Sequence, residues 1–186
     1  MIKIIAGKYG SRFIKTLDGD KTRPTSSKTR GAIFSRIGPF FEGGIVLDLF
    51  AGSGAFSFEC LSRGFDKAYL VDINKEAISV IKENCKVLNE NNVEIIKSSY
   101  LDALNKLKDI KFDVIFIDPP YKLNVLEDII MFIDNNEMLS KNGIIIIESL
   151  KEYILNDKLG TIYKDKEAFY GISKITYFKK EPRLWE

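Results

Sequence analysis

The sequence predicts an α/β fold: a mostly parallel, seven-stranded sheet with helices on both faces and an antiparallel hairpin at one edge. Three observations predict it. Short β-branched runs alternate with helical stretches from residue 45 onward, the pattern of a parallel sheet wound through helices. The runs "VIFI" and "IIII" are apolar without alternation, as strands covered on both faces must be. Two β-rich runs, about 159–166 and 171–179, meet near Tyr170-Gly171 with no helix between them, which predicts the edge hairpin.

In order, "IKIIAGKYGSRFIKT" (2–16) reads as a hairpin turning at Gly7 to Gly10. "LDGDKTRPT" is basic and turn-rich. Residues 26–38 read as a helix with Ile33, Phe34 and Ile37 on one face, stopped by Gly38-Pro39. Strands are expected at 45–50, 67–73, 93–98, 112–118 and 143–149. Helices are expected at 54–64, 74–90, 100–108 and 124–135. The helix 74–90 carries Ala77, Ile81, Cys85 and Leu88 on one stripe. Three segments follow: an N-terminal extension (1–40), a main domain (41–180) and a tail (181–186).

Composition bounds the chemistry. A chain of 186 residues, 45% hydrophobic, can build a real core. There is no histidine, which excludes histidine acid–base catalysis and Ser-His-Asp triads, and no CxxC, which leaves zinc without its usual ligands. Cys60 and Cys85 read as free buried thiols in a reducing cytoplasm. The N-terminus lacks a secretory leader's apolar core, and no run approaches bilayer length. A cytoplasmic monomer without a metal or a membrane partner is expected. The formal net charge is +2, but nine basic residues against two acidic put +7 on residues 1–40 and leave −5 on the rest. A basic front on an acidic body points to a polyanion met by the N-terminus.

"DLFAGSG" (48–54) follows the first strand of the alternation and opens a helix. Ligands of such sheets bind at the carboxyl ends of strands, where glycines let the backbone approach. Gly52-Ser53-Gly54-Ala-Phe-Ser57 departs from a dinucleotide fingerprint at its third glycine, and no P-loop ending exists. Asp72 ends the next strand and suits a ribose diol, which by itself leaves NAD and S-adenosylmethionine open. Asp48 favours the latter. A carboxylate there is hostile to a pyrophosphate and suits a ligand bearing an ammonium and a sulfonium.

"FIDPPY" (116–121) ends a core strand with a carboxylate, two prolines and a ring. The prolines fix φ and so hold the Pro119 carbonyl in place. Asp118 and that carbonyl can accept both hydrogens of an exocyclic base amine and aim its lone pair at a methyl donor. Positioning of this kind is worth roughly 7–11 kcal/mol in ideal cases. Tyr121 offers a ring on which a flipped base stacks, worth ~1–3 kcal/mol.

Together these motifs resemble S-adenosylmethionine-dependent methyltransferases that modify exocyclic amines. "IIAGKYGSRFIKT", "TRPTSSKTRGAIF", "VLDLFAGSGAFSFECLSRG" and "FDVIFIDPPY", in this order and spacing, resemble the RsmD family. That resemblance implies a Rossmann-like class I methyltransferase fold. The implied activity is methylation of guanine N2 in bacterial small-subunit ribosomal RNA, free or within a ribosomal particle. It implies cofactor contacts from Asp48, Phe50, Gly52, Ser53, Gly54, Asp72 and Ile73, with Ser99 and Tyr100 where an adenine-holding Asp is common. It places the target guanine at Asp118, Pro119, Pro120 and Tyr121, and RNA at Arg23, Pro24, Thr25, Lys28 and Arg30. Gly31 stands where the family usually has Glu; inside a helix it costs ~1 kcal/mol against alanine. The rivals are an adenine-N6 DNA or RNA methyltransferase with the same motif, a non-catalytic RNA-binding relative, and a nicotinamide dehydrogenase.

Overall fold

The computed structural model describes residues 1–17, 26–120 and 123–181. They form two compact units, the first spanning Met1–Tyr100 and the second beginning at Leu101.

The first unit opens with β1 (Ile2–Lys3) and β2 (Phe13–Ile14), paired antiparallel with Ile2 opposite Ile14. The hairpin has only two residues per strand, because the chain between them is spent on docking. α1 (Ser27–Ile37) starts where the Ser26 hydroxyl accepts from the Thr29 N–H and ends at Gly38, φ 131°. A Cβ on Gly31 would meet nothing closer than 3.9 Å, so packing does not demand the glycine. β3 (Ile45–Asp48), α2 (Ala55–Ser62), β4 (Lys67–Asp72), α3 (Lys75–Leu88) and β5 (Val93–Lys97) follow. β3 and β5 both run parallel to β4, which lies between them. All eight residues of α2 are buried, so it is a core helix rather than an amphipathic one. On α3 the buried stripe is Ala77, Ile78, Ile81, Asn84 and Leu88. Cys85, expected on that stripe, is half-buried, while Cys60 is buried; both thiols are free.

The hairpin is fastened to this unit by buried polar groups. Glu59 on α2, 0% exposed, accepts the Ile5 and Ala6 N–H groups at 2.8 and 3.0 Å and the Arg63 Nε–H at 2.8 Å. Arg30 on α1, also 0% exposed, donates to the Lys3 carbonyl at 2.7 Å. The Asn84 amide accepts from the Lys15 N–H and donates to the carbonyls of Lys15 and Ser53. Glu90 accepts from Lys8 Nζ at 2.8 Å and from the Tyr9 hydroxyl at 2.9 Å.

α4 (Tyr100–Leu107) leads into the second unit. β6 (Phe112–Ile117) and β7 (Leu139–Leu150) are parallel, with α5 (Leu126–Asn135) between them in sequence. β7 begins four residues before the expected strand. Leu139 pairs with Phe112, and the ladder then breaks and resumes at Val114–Ile144. β8 (Lys158–Leu159), a strand the sequence did not suggest, adds to the edge of β9 (Ile162–Tyr170). β9 and β10 (Ser173–Lys180) form the expected antiparallel hairpin, turning at Gly171, φ 62°. β10 lies between β9 and β7, antiparallel to both. No helix among the described residues is long and apolar enough to cross a membrane.

Removing one partner of a buried ion pair leaves the other charge stranded, at a cost of about 3–5 kcal/mol. Glu59→Ala should lose that much in urea denaturation and should expose the first fifteen residues to protease under native conditions. A variant as stable as the parent, with a protected N-terminus, would show that apolar packing alone docks the hairpin.

Candidate active site

The expected cofactor residues all fall in the first unit, at the carboxyl ends of its parallel strands. β3 ends at Asp48, and the chain turns through Phe50–Gly54 before α2 begins. Gly52 and Gly54 have φ of 54° and 77°, a region costly for side-chain-bearing residues. The two glycines differ in surroundings. A Cβ on Gly54 would press to 2.7 Å on Leu70 and 2.8 Å on Phe58, whereas one on Gly52 would meet nothing within 4 Å. Gly54 is therefore required by the packing of α2 on β4, and Gly52 borders open space.

The turn is tied to β4. The Gly52 N–H donates to Asp72 Oδ2 at 2.8 Å and the Ala51 N–H to the Val71 carbonyl at 2.9 Å. Asp72 Oδ1 accepts from the Asn74 N–H at 2.8 Å. Each carboxylate oxygen has a second lone pair for a ligand. Ile73 beside it is 70% exposed, an apolar side chain held out at the strand end. The rings of Phe50 and Tyr100 are tilted against each other, centroids 5.7 Å apart, which joins the turn to the segment after β5. Ser99 immediately precedes Tyr100 and is half-buried. Ser53, 8% exposed, gives its carbonyl to Asn84.

Asp48 is 1% exposed. Its Oδ2 accepts from the Ser57 hydroxyl at 2.9 Å, and its Oδ1 has no hydrogen-bond partner among the described residues. Burial pushes its carboxyl up from 3.8 to about 7; the charge of Asp72 adds to the rise and the Ser57 bond opposes it. A buried acceptor left unmatched costs free energy, and a cationic ligand group would supply the missing partner. The residues present thus fit a ligand with a positive charge near Asp48 and a diol near Asp72.

In the second unit Asp118 is half-buried, Pro119 buried and Pro120 exposed. The Leu123 N–H returns to the Pro120 carbonyl at 2.9 Å. Tyr121 lies outside the described residues. A pocket of about 250 Å³ opens beside Pro119, bounded by Leu126, Glu148 and Tyr153 among others. The sequence reading passed over Glu148. Its signal was the one that marked Asp118: a carboxylate ending an apolar strand.

Of the residues expected on RNA, Arg23, Pro24 and Thr25 lie outside the described residues, and Lys28 is exposed. Arg30 is a correction. Its guanidinium is fully buried and holds the Lys3 carbonyl, so it fastens the hairpin and is not presented to a phosphate. Other front-end charges are also engaged within the chain. Lys8 pairs with Glu90, Lys15 with Glu83, and Arg12 with carbonyls at the end of α3.

Parallel strands wound through helices, with a glycine turn and a strand-end carboxylate, define a Rossmann-like fold of the methyltransferase type. A solved structure from Escherichia coli, provisionally titled methyltransferase yhhF, matches with a TM-score of 0.84 at 26% identity, covering 98% of this chain and 99% of that one. The chain belongs to the RsmD family, whose model, described as conserved hypothetical protein 95, matches residues 2–179. A Bacillus subtilis relative provisionally named rRNA methyltransferase YlbH is 36% identical over 96% of this chain and 99% of its own length. Ribosomal RNA small subunit methyltransferase D of Buchnera aphidicola (from Acyrthosiphon pisum) is 36% identical over 89% of this chain and 87% of its own.

The raised carboxyl of Asp48 sets a pH dependence. The folded state holds that proton more tightly than the unfolded one, so the group's cost to the unliganded fold grows from about pH 4 to about pH 7 and is constant above. Asp48→Asn should therefore stabilise the unliganded protein at pH 8, by on the order of 2–4 kcal/mol, and hardly at all at pH 4. The same variant should bind a cationic ligand less well. Equal stabilisation at both pH values in thermal unfolding would refute the assigned protonation.

Proposed function

We propose that this protein transfers a methyl group from S-adenosylmethionine to the exocyclic N2 amine of a guanine in small-subunit ribosomal RNA. The observation that carries the reading is the unmatched buried oxygen of Asp48 beside the open Gly52 turn, in a chain whose relatives include named ribosomal RNA methyltransferases. An adenine-N6 acceptor would use the same motif; the relatives' names favour ribosomal RNA.

S-adenosylmethionine, when bound, supplies an electrophilic methyl on a sulfonium. The chain's residues do the rest. Asp48 faces positive charge and Asp72 accepts from the ribose diol, while Gly52 leaves room for close backbone approach. Ile73, Phe50, Ser99 and Tyr100 border the adenine, with Ser53 and Gly54 shaping the turn. Asp118 and the Pro119 carbonyl accept the amine hydrogens, favour a pyramidal nitrogen and direct its lone pair. Pro120 fixes the chain beyond, and Tyr121 stacks on the base. The acidic ammonium product releases its proton without a histidine. Arg23, Pro24, Thr25 and Lys28 meet the RNA, whether free or in a ribosomal particle, and one copy of the chain suffices.

Mass mapping of modified nucleosides in ribosomal RNA from a deletion strain tests the whole reading: one N2-methylguanine should vanish and return on complementation. Asp118→Ala should bind S-adenosylmethionine within about twofold of the parent yet lose at least ~100-fold in turnover, the scale of lost positioning. Cofactor affinity falling in step with rate would remove Asp118 from the acceptor role.

The RNA assignment has its own test. Each cation that neutralises a phosphate contributes about −0.7 to the slope of log affinity against log salt on single strands. Replacing both Arg23 and Lys28 by Ala should weaken RNA binding and flatten that slope by roughly one to two units. A parental slope and affinity would place the RNA elsewhere.

A further inference from the structure

We infer that Glu148, in the pocket beside Pro119, distinguishes guanine from the other bases that carry an exocyclic amine. The inference rests on the reaction just proposed and names the group that sets its base specificity.

Three observations converge on Glu148. The first is register. β6 and β7 run parallel with Ile117 opposite Ile147. The ladder ends there; continued by one residue, the same pairing would set Asp118 beside Glu148 on one face, at the strand spacing of ~4.8 Å. The second is rigidity. Glu148 is 7% exposed and sits opposite Ile175 in the β7–β10 ladder, so its backbone is held by a central strand rather than a loop. The third is the pocket. Its volume of about 250 Å³ lies just under the ~300–1,000 Å³ typical of drug-sized ligands, a size for one flat base. Glu148 forms part of its wall, with Pro119 from the motif and Tyr153, whose hydroxyl donates to Asn124 Oδ1.

The base chemistry selects among the candidates. Guanine, adenine and cytosine each bear an exocyclic amine. In guanine one of the two ring nitrogens flanking the amine, N1, carries a hydrogen and donates, while the other, N3, is a bare lone pair. In adenine and cytosine the ring nitrogen next to the amine is a bare lone pair. An ionised carboxylate only accepts. With the amine hydrogens on Asp118 and the Pro119 carbonyl, a second carboxylate alongside meets the N1 donor of guanine. Against adenine or cytosine it meets a lone pair, and two buried acceptors face each other. A site built to bond a particular hydrogen rejects an analogue lacking it far more strongly than shape alone does. The hydrophobic wall from Leu126 and Pro119 offers no polar group to repair the mismatch.

2,6-Diaminopurine separates this role from all others. It keeps the N2 amine of guanine but has a lone pair at N1. Once the methylated guanine is mapped, transcripts carrying guanine, 2,6-diaminopurine or adenine at that position are compared with the full-length protein. The parent should methylate diaminopurine at least ~10-fold more slowly than guanine. Glu148→Gln, whose amide presents either a donor or an acceptor, should slow guanine and bring the two rates close together while S-adenosylmethionine binding by calorimetry is retained. Glu148→Asp should keep the guanine preference at reduced rate. A parent that methylates diaminopurine as fast as guanine overturns the role of Glu148 and leaves the guanine-N2 reaction standing. A folded Glu148→Gln with the parental ratio does the same. Methylation of adenine alone, or of none of the three either as free transcript or reconstituted into a small ribosomal subunit, overturns the reaction itself. If a variant fails to fold, the parent's own ratio still tests the role, since equal rates on guanine and diaminopurine overturn it.

Discussion

A single carboxylate organises the first unit. Glu59 is buried on a helix with no exposed face, and its two oxygens take two consecutive backbone amides of the hairpin and the Arg63 side chain. Consecutive N–H groups in an irregular segment have no ladder to join, and a buried segment must place them somewhere. Arg63 then cannot leave: its guanidinium donates to the Pro39 carbonyl at 2.8 Å and lies 4.5 Å over the Phe34 ring. Phe34 in turn stacks on Phe56 of the helix that follows the glycine turn. From one ionised group the constraint passes to the hairpin, to α1 and to the helix that sets the turn. The glycine turn is thus positioned from behind by charge and from the side by β4.

Asp48 shows the opposite use of a buried carboxylate. Where both oxygens of Glu59 have partners inside the chain, Asp48 keeps an oxygen unmatched. The deficit costs the fold less where the group takes up a proton, as its raised pKa favours when no cation faces it. A site of this kind is least stable when empty and ionised, and most complementary when charge arrives. On the proposed reading, binding affinity and resting stability are set by the same atom with opposite sign.

Much of this was legible in the sequence where local chemistry is decisive. Gly52 and Gly54 announce positive φ, and Asp72 twenty residues on announces the end of the neighbouring strand. The apolar runs of β6 and β7 read as doubly covered. What was not legible depends on partners distant in sequence. Arg30 reads as a surface cation of a basic helix; only the docked hairpin, with its Lys3 carbonyl, makes it a core residue. Cys85 has the right spacing for the buried stripe, but Asn84 takes that place because its amide is needed by Lys15 and Ser53. The early start of β7 turns on a ladder irregularity near Phe112 that no periodicity encodes. β8, at two residues, is below the length at which alternation has meaning.

The docking of the hairpin also has an order in time. Its partners Glu59, Ser62, Asn84 and Glu90 lie 53 to 82 positions later in the chain. At ribosomal rates of ~5–20 residues per second, the first fifteen residues wait several seconds for the groups that will bury Ile4 and Ile14, which end at 0% and 1% exposed. The segment is made before every group that docks it, so its docking waits on theirs. Such long-range closure slows folding relative to local pairing, and the lysines and arginines interleaved through that segment keep it soluble while it waits.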